Sequence, residues 1–316
     1  MANKGEQDDQ KEEHLTIVRI SGIVDSGDVT AAGKLSLQNA GISSSDDLFS
    51  MKSLESLSLA GNKLTEFEFL SQNYNLKVLD LSRNRIQKLP NMANFTNLTL
   101  LNLANNEITD MTPVACLSSL KVLILNNNKI KVMCNLSKME NLETIILSHN
   151  EIEEVKLPSK TMWKLKKITL SHNAIREFPV TSKLPNLQEL RLNSNKILAL
   201  PQNIGMMASL KLLDVGNNRI VDMKPIINLN NLQNLNVFGN PEPQLKLEDI
   251  KQHIQFLKVF NSTNLCPDGG VERKLKRARR AAETPKGRRE YSESSKQRAS
   301  YKGSKISRTT NSNIKR

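Results

Sequence analysis

Apolar residues in this chain follow two nested periods. A short alternation, leucine–x–leucine, recurs at a fixed longer interval over most of the length. The string L-x-x-L-x-L-x-x-N-x-L/I begins as Leu54, Leu57, Leu59, Asn62 and Leu64. It returns as Leu76, Leu79, Leu81, Asn84 and Ile86, and again as Leu98, Leu101, Leu103, Asn106 and Ile108. Asn128, Asn150, Asn173, Asn195, Asn218 and Asn240 mark the remaining copies, for nine in all. The asparagines stand 22 residues apart, with 23 twice. A degenerate copy precedes them at Leu35, Leu37, Ala40 and Ile42, which makes ten units.

Each part of the repeat has a physical reading. Spacing of two puts both leucines on one side of a short strand. Such strands stack in parallel roughly 4.7–4.9 Å apart, so ten give a sheet on the order of 45 Å long. The asparagine falls where the chain leaves the strand, and its amide can satisfy backbone groups of two neighbouring turns. A column of them predicts an asparagine ladder. After each asparagine, apolar residues recur at every third position, as in Ile108, Met111, Val114, Leu117 and Leu120, or Ile220, Met223, Ile226, Leu229 and Leu232. That spacing suits 3₁₀ or short helical turns on the convex side, where Pro90, Pro179 and Pro201 would break a longer helix.

A stack of repeats exposes its core face at both ends and must be capped. Residues 15–24, LTIVRISGIV, are expected to supply an N-terminal cap strand within 15–34. At the other end Asn240-Pro241 closes the ladder, and Leu247, Ile250, Ile254 and Leu257 lie at helical spacing. The organisation read from the sequence is a disordered lead at 1–14, a cap at 15–34, repeats at 35–240, a cap at 241–262 and a basic disordered tail at 263–316.

The repeat resembles the leucine-rich repeat, and the 22-residue period points to one subclass. Its cap is a helix after Asn-Pro with an L-K-x-L-like close, which here reads Phe256-Leu257-Lys258-Val259-Phe260-Asn261. The subclass includes the leucine-rich regulatory subunit of protein phosphatase 1, axonemal dynein light chain 1, centrosomal scaffolds and the spliceosomal A-prime protein. The resemblance covers about residues 30–262. It implies an α/β solenoid, a right-handed superhelix with a concave parallel β-sheet and convex 3₁₀ or helical turns. It also implies a non-catalytic protein-binding scaffold, with a phosphatase 1 regulatory adaptor as the named option. In that subunit aromatic and acidic side chains line the concave face, and this chain departs from that pattern.

Residues flanking the strand leucines should point out of the concave sheet. One column runs Val78, Leu100, Val122, Thr144, Lys167 and Glu189, and the next runs Asp80, Asn102, Ile124, Ile146, Thr169, Arg191 and Asp214. Val78, Leu100, Val122, Ile124 and Ile146 should adjoin as an exposed aliphatic patch, the expected anchor for a protein partner. Lys167, Glu189, Arg191 and Asp214 should form a charged rim that sets specificity. Phe238 is expected to pack onto the C-terminal cap, and Trp163 on the convex side.

Charge divides the chain. Its net charge is +13, and residues 271–316 account for +12 of it. Arg273, Lys274, Lys276, Arg277, Arg279 and Arg280 form one basic cluster, and Lys286, Arg288 and Arg289 follow a short spacer. The pattern resembles a bipartite nuclear localisation signal read by an importin. Contact with RNA or acidic tubulin tails is the other reading of such a run. The expected localisation is nuclear, cytoplasmic or both, without secretion, since the polar N-terminus has no signal-peptide core. No membrane span and no small-molecule substrate are expected.

Cys116, Cys134 and Cys266 lack paired spacing, and the first two read as small buried hydrophobes. His149 and His172 occupy one position in consecutive repeats and should stack on a solvated turn, with no third metal ligand beside them. No phosphate loop, paired catalytic carboxylates or Cys-x-x-Cys motif is present. No cofactor and no catalysis are expected.

Overall fold

The computed structural model describes residues 13–24, 28–241 and 247–265. The basic residues from Arg273 to Arg289, Cys266, and most of the expected lead and tail lie outside them.

Ten short strands carry the repeat. They are β2 (Lys34–Ser36), β4 (Ser56–Ser58), β5 (Val78–Asp80), β6 (Leu100–Asn102), β7 (Val122–Ile124), β9 (Thr144–Ile146), β11 (Lys167–Thr169), β12 (Glu189–Arg191), β13 (Leu212–Asp214) and β14 (Asn234–Asn236). Successive strands pair in parallel and in register, leucine beside leucine. Two cap strands, β15 (Val259–Phe260) and the antiparallel β16 (Thr263–Asn264), complete a twelve-stranded sheet. The chain is thus a leucine-rich repeat solenoid. Central strand residues such as Leu57, Leu79, Leu101, Leu123 and Ile145 are fully buried, and their neighbours on each strand are half-buried.

The ladder asparagines hold the turns as the repeat implies. Asn106 Nδ2 donates to Leu81 O (3.0 Å) and Leu103 O (3.1 Å), while its Oδ1 accepts from Ile86 N (3.0 Å). The same three bonds recur from Asn62 to Asn218. The residue just before each ladder asparagine sits in the left-handed region. Arg83, Asn105, Asn127, His149, His172, Ser194 and Asn217 have φ of 52–57°, and Gly61 and Gly239 have 72° and 77°. At Gly61 a Cβ would fall 2.0 Å from Asn39 Oδ1, so a larger residue there would require the Asn39 side chain to move.

The convex side carries 3₁₀ turns at Glu68–Leu70, Thr112–Cys116, Gln202–Met206 and Lys224–Asn228. The every-third-residue series from Ile108 to Leu120 and from Ile220 to Leu232 is buried. Two repeats differ. There β8 (Val132–Met133) and β10 (Glu154–Val155) form a separate two-stranded sheet on the side where the chain leaves the concave face.

Both caps depart from the sequence reading. At the N-terminus β1 (Glu13–Leu15) pairs with β3 (Ile42–Ser45), and residues 17–21 form a helix, α1 (Ile17–Ser21), rather than a strand. Thr16 starts the helix by accepting from Arg19 N (3.2 Å). Ile17 and Ile20, three apart, turn towards the core, and Ile20 is fully buried. At the C-terminus α2 (Leu247–His253) and the following turn bury Ile250, Ile254 and Leu257. Strand β16 occupies positions where the sequence placed the start of the tail, because Asn261 and Ser262 take positive φ and reverse the chain.

Candidate concave binding face

The two outward columns meet across neighbouring strands. Val78, Leu100 and Val122 are consecutive partners in one column, and Ile124 faces Ile146 in the next. All five are half-buried by their neighbours rather than fully open. They form one aliphatic area over β5, β6, β7 and β9.

The polar members of the second column have a job within the fold. Asp80 Oδ1 accepts from Ser82 N (3.0 Å), Asn102 Oδ1 from Ala104 N (3.1 Å) and Asp214 Oδ1 from Gly216 N (3.2 Å). Each ties down its own turn two residues on. Ile124 and Ile146 replace that side-chain acceptor with aliphatic surface. Asn236 Nδ2 adds a bond to Asp214 Oδ1 (2.8 Å) and steadies that end of the face.

The charged rim is internally paired. Glu189 Oε1 accepts from Arg191 Nε (2.6 Å) and lies 3.0 Å from Lys167 Nζ on the adjacent strand. Burial pushes the Glu189 carboxyl up. The bonds and charges of Arg191 and Lys167 outweigh it and hold the group below the ordinary glutamate value. Glu189 is thereby committed to its neighbours, and the cluster keeps one net positive charge.

Thr169 departs from expectation. It is 6% exposed, and its Oγ1 has no hydrogen-bond partner among the described residues. Larger side chains, Ile146 and Arg191, stand in register on either side of it. Phe238 departs in the other direction: it is 66% exposed, not packed on the cap. Strand alternation explains this, since Val237 takes the inward position and is fully buried. Phe238 therefore adds an aromatic group to the C-terminal end of the face.

Three further expectations meet the structure elsewhere. Trp163 is 65% exposed, because Met162 and Leu165 take the inward positions beside it. Its carbonyl accepts from Asn186 Nδ2 (2.7 Å). Cys116 is exposed, since Val114 and Leu117 fill the core positions of its turn. Cys134 is buried, and burial above all pushes its thiol up to about 11. The His149 and His172 rings stack at 4.2 Å and 9°. Among the described residues no group of three or more His, Cys, Asp or Glu side chains is placed to hold a metal ion. No helix among them is long and apolar enough to cross a membrane.

A second ladder escaped the sequence reading. Asn75, Asn97, Asn141, Asn186 and Asn231, each just before the first leucine of a repeat, donate through Nδ2 to backbone carbonyls of the preceding repeat at 2.7–3.0 Å. The signal was present: these asparagines keep the same interval as the first ladder, or double it.

Comparison with known proteins agrees with this architecture. The family model for leucine-rich repeats, in two copies, matches residues 74–116 and 163–204. No curated protein sequence matches the chain. Among solved structures, an internalin (InlF) from Listeria monocytogenes is 23% identical, with a TM-score of 0.66 over 78% of this chain and 74% of that one. The APL1 leucine-rich repeat domain is 21% identical, with a TM-score of 0.54 over 76% and 75%. TLR13, in its complex with ssRNA13, is 24% identical, with a TM-score of 0.60 over 73% of this chain and 40% of that one. At these identities the likeness is one of fold. Repeat, ladder, sheet and the two segments matched by the family model together give this chain the leucine-rich repeat fold.

Proposed function

We propose that the chain is a non-catalytic scaffold that binds one protein partner in its concave face. The observation that carries this is the continuous run of Val78, Leu100, Val122, Ile124 and Ile146 across four neighbouring strands. Apolar area held open on a rigid sheet gains free energy when a partner covers it. Arg191 and Lys167, already ordered by Glu189, would orient that partner at small entropic cost. Asp80, Asn102 and Asp214 serve first as turn caps and only second as contacts.

For the partner we propose the catalytic subunit of protein phosphatase 1, on the resemblance of repeats and cap to its leucine-rich regulator. For the basic clusters at Arg273–Arg280 and Lys286–Arg289 we propose importin recognition and a nuclear or nucleocytoplasmic location, on their bipartite spacing.

The test uses the full chain and its Ile124→Glu/Ile146→Glu variant, titrated calorimetrically with purified phosphatase 1 catalytic subunit. Binding by the parent and at least tenfold weaker binding by the variant supports both readings. No binding by either removes the phosphatase. The same two proteins are then used to capture partners from lysate with and without nuclease. A captured protein lost with the variant keeps the scaffold reading, and equal capture by both ends it. Tubulin among the captured proteins would favour a cytoskeletal role, and nuclease-sensitive capture a ribonucleoprotein role.

A further inference from the structure

Away from the concave face, β10 has one open edge. Among the described residues it pairs with β8 on one side only. On the other side the next repeat starts in contact, Ala174 N donating to Ile152 O (2.8 Å), and then diverges from it. Two features of the sequence separate them. The repeat from Asn150 to Asn173 is one residue longer than its predecessor, and the extra residue falls between Ile152 and Leu165. The facing segment, Arg176-Glu177-Phe178-Pro179, ends in a residue with no N–H to donate. The result is an open groove of about 380 Å³ between Glu153–Leu157 and Ile175–Pro179.

The groove has a definite chemistry. Glu153, Glu154 and Glu177 are exposed along it and face one cation, Arg176. Its apolar part is made by Val155, Phe178 and Leu157, which is 40% exposed. Carboxylates at the rim, aliphatic surface beneath and unpaired strand backbone at one wall describe the complement of a single kind of ligand.

We propose that this groove takes up an extended basic segment of a partner protein, which adds as a strand to the free edge of β10. Backbone N–H and C=O groups of the segment would pair with those of Val155, which point away from β8, since Lys156 N rather than Val155 N reaches Met133 O (3.0 Å). Strand alternation would then place its Lys or Arg side chains at Glu154 and Glu177 and its aliphatic side chains over Leu157 and Phe178. The site is separate from the concave patch and does not depend on it. The rival account is protective: charges on an exposed edge keep other strands away.

The test is fluorescence anisotropy with the full-length protein. The probe is a fluorescein-labelled peptide, Lys-Val-Arg-Val-Lys-Leu-Arg with blocked ends, and a second version is N-methylated at alternate residues. The expected result has three parts. The plain peptide binds and weakens as salt rises. N-methylation weakens it at least tenfold at unchanged charge. Glu154→Lys/Glu177→Lys abolishes binding with the melting temperature unchanged, as befits exposed side chains, and Glu154→Gln/Glu177→Gln weakens it. The Ile124→Glu/Ile146→Glu protein binds the peptide as the parent does, which keeps this outcome independent of the concave face. Equal binding of the plain and N-methylated peptides overturns strand addition and leaves only a charged surface. No binding of the plain peptide overturns the proposal in favour of edge protection.

Discussion

Asn106 illustrates how much of the molecule rests on one residue type. Its side chain makes four bonds to four backbone groups in two repeats, the longest to Ala104 O (3.4 Å). Leaving buried backbone groups unpaired costs about 1–3 kcal/mol each. Asn106→Ala should therefore destabilise the chain by about 2–4 kcal/mol, read from the urea midpoint. Asn106→Asp should be no better, since it sets an acceptor against two carbonyls. An unchanged midpoint in either variant would mean that water replaces the ladder. Glu189 provides a pH test. Its carboxyl is held low in the folded chain, so the stability it contributes is present above the ordinary glutamate value of 4.5. That contribution is lost as pH falls below 4.5 through the folded value. The difference in urea midpoint between the parent and Glu189→Gln should be constant near neutrality and shrink in acid. A difference that grows in acid would contradict the ion cluster.

The elements depend on their neighbours more than on their own sequences. Three-residue strands and 3₁₀ turns have no independent stability. Each is held by the strand before it and the strand after it, so the terminal units matter out of proportion to their size. In α2, Ile250 is fully buried against the last repeats. Ile250→Ala should cost about 2–5 kcal/mol by the usual cost of emptying a core position. Hydrogen exchange should rise first at β13, β14 and β15, because fraying starts where the stack is uncovered. Uniform acceleration over all strands would show that the solenoid unfolds as one unit. The N-terminal cap differs in kind, with Leu15 on a strand and Ile20 on a helix closing the same face.

At the scale of the molecule, function follows from which columns are interrupted. Turn-capping residues occupy the second outward column at Asp80, Asn102 and Asp214, and isoleucine replaces them at Ile124 and Ile146. Those two substitutions forgo a local bond and leave aliphatic surface in the middle of the face. Ile124→Asp should add a turn cap to Asn126 N while removing apolar surface. It should leave stability in urea within about 0.5 kcal/mol of the parent, as expected of a surface change, and reduce partner binding. A large loss of stability would place Ile124 in the core instead of on the face.

The sequence by itself determined the number of repeats, the register of their concave strands, the asparagine ladder and the residues those strands turn inward. It could do so because a solenoid reuses one local solution: the contacts of each repeat lie at a fixed sequence separation and show up as a period. What the tertiary structure decided lies where that period fails or says nothing. The 15–24 segment is helical because it must plug an open end, not continue a sheet. Thr169 is buried and Phe238 exposed because their surroundings come from neighbouring strands, not from their own repeat. The groove beside β10 exists because one extra residue and Pro179 keep two repeats from closing, a consequence visible only when both are in place.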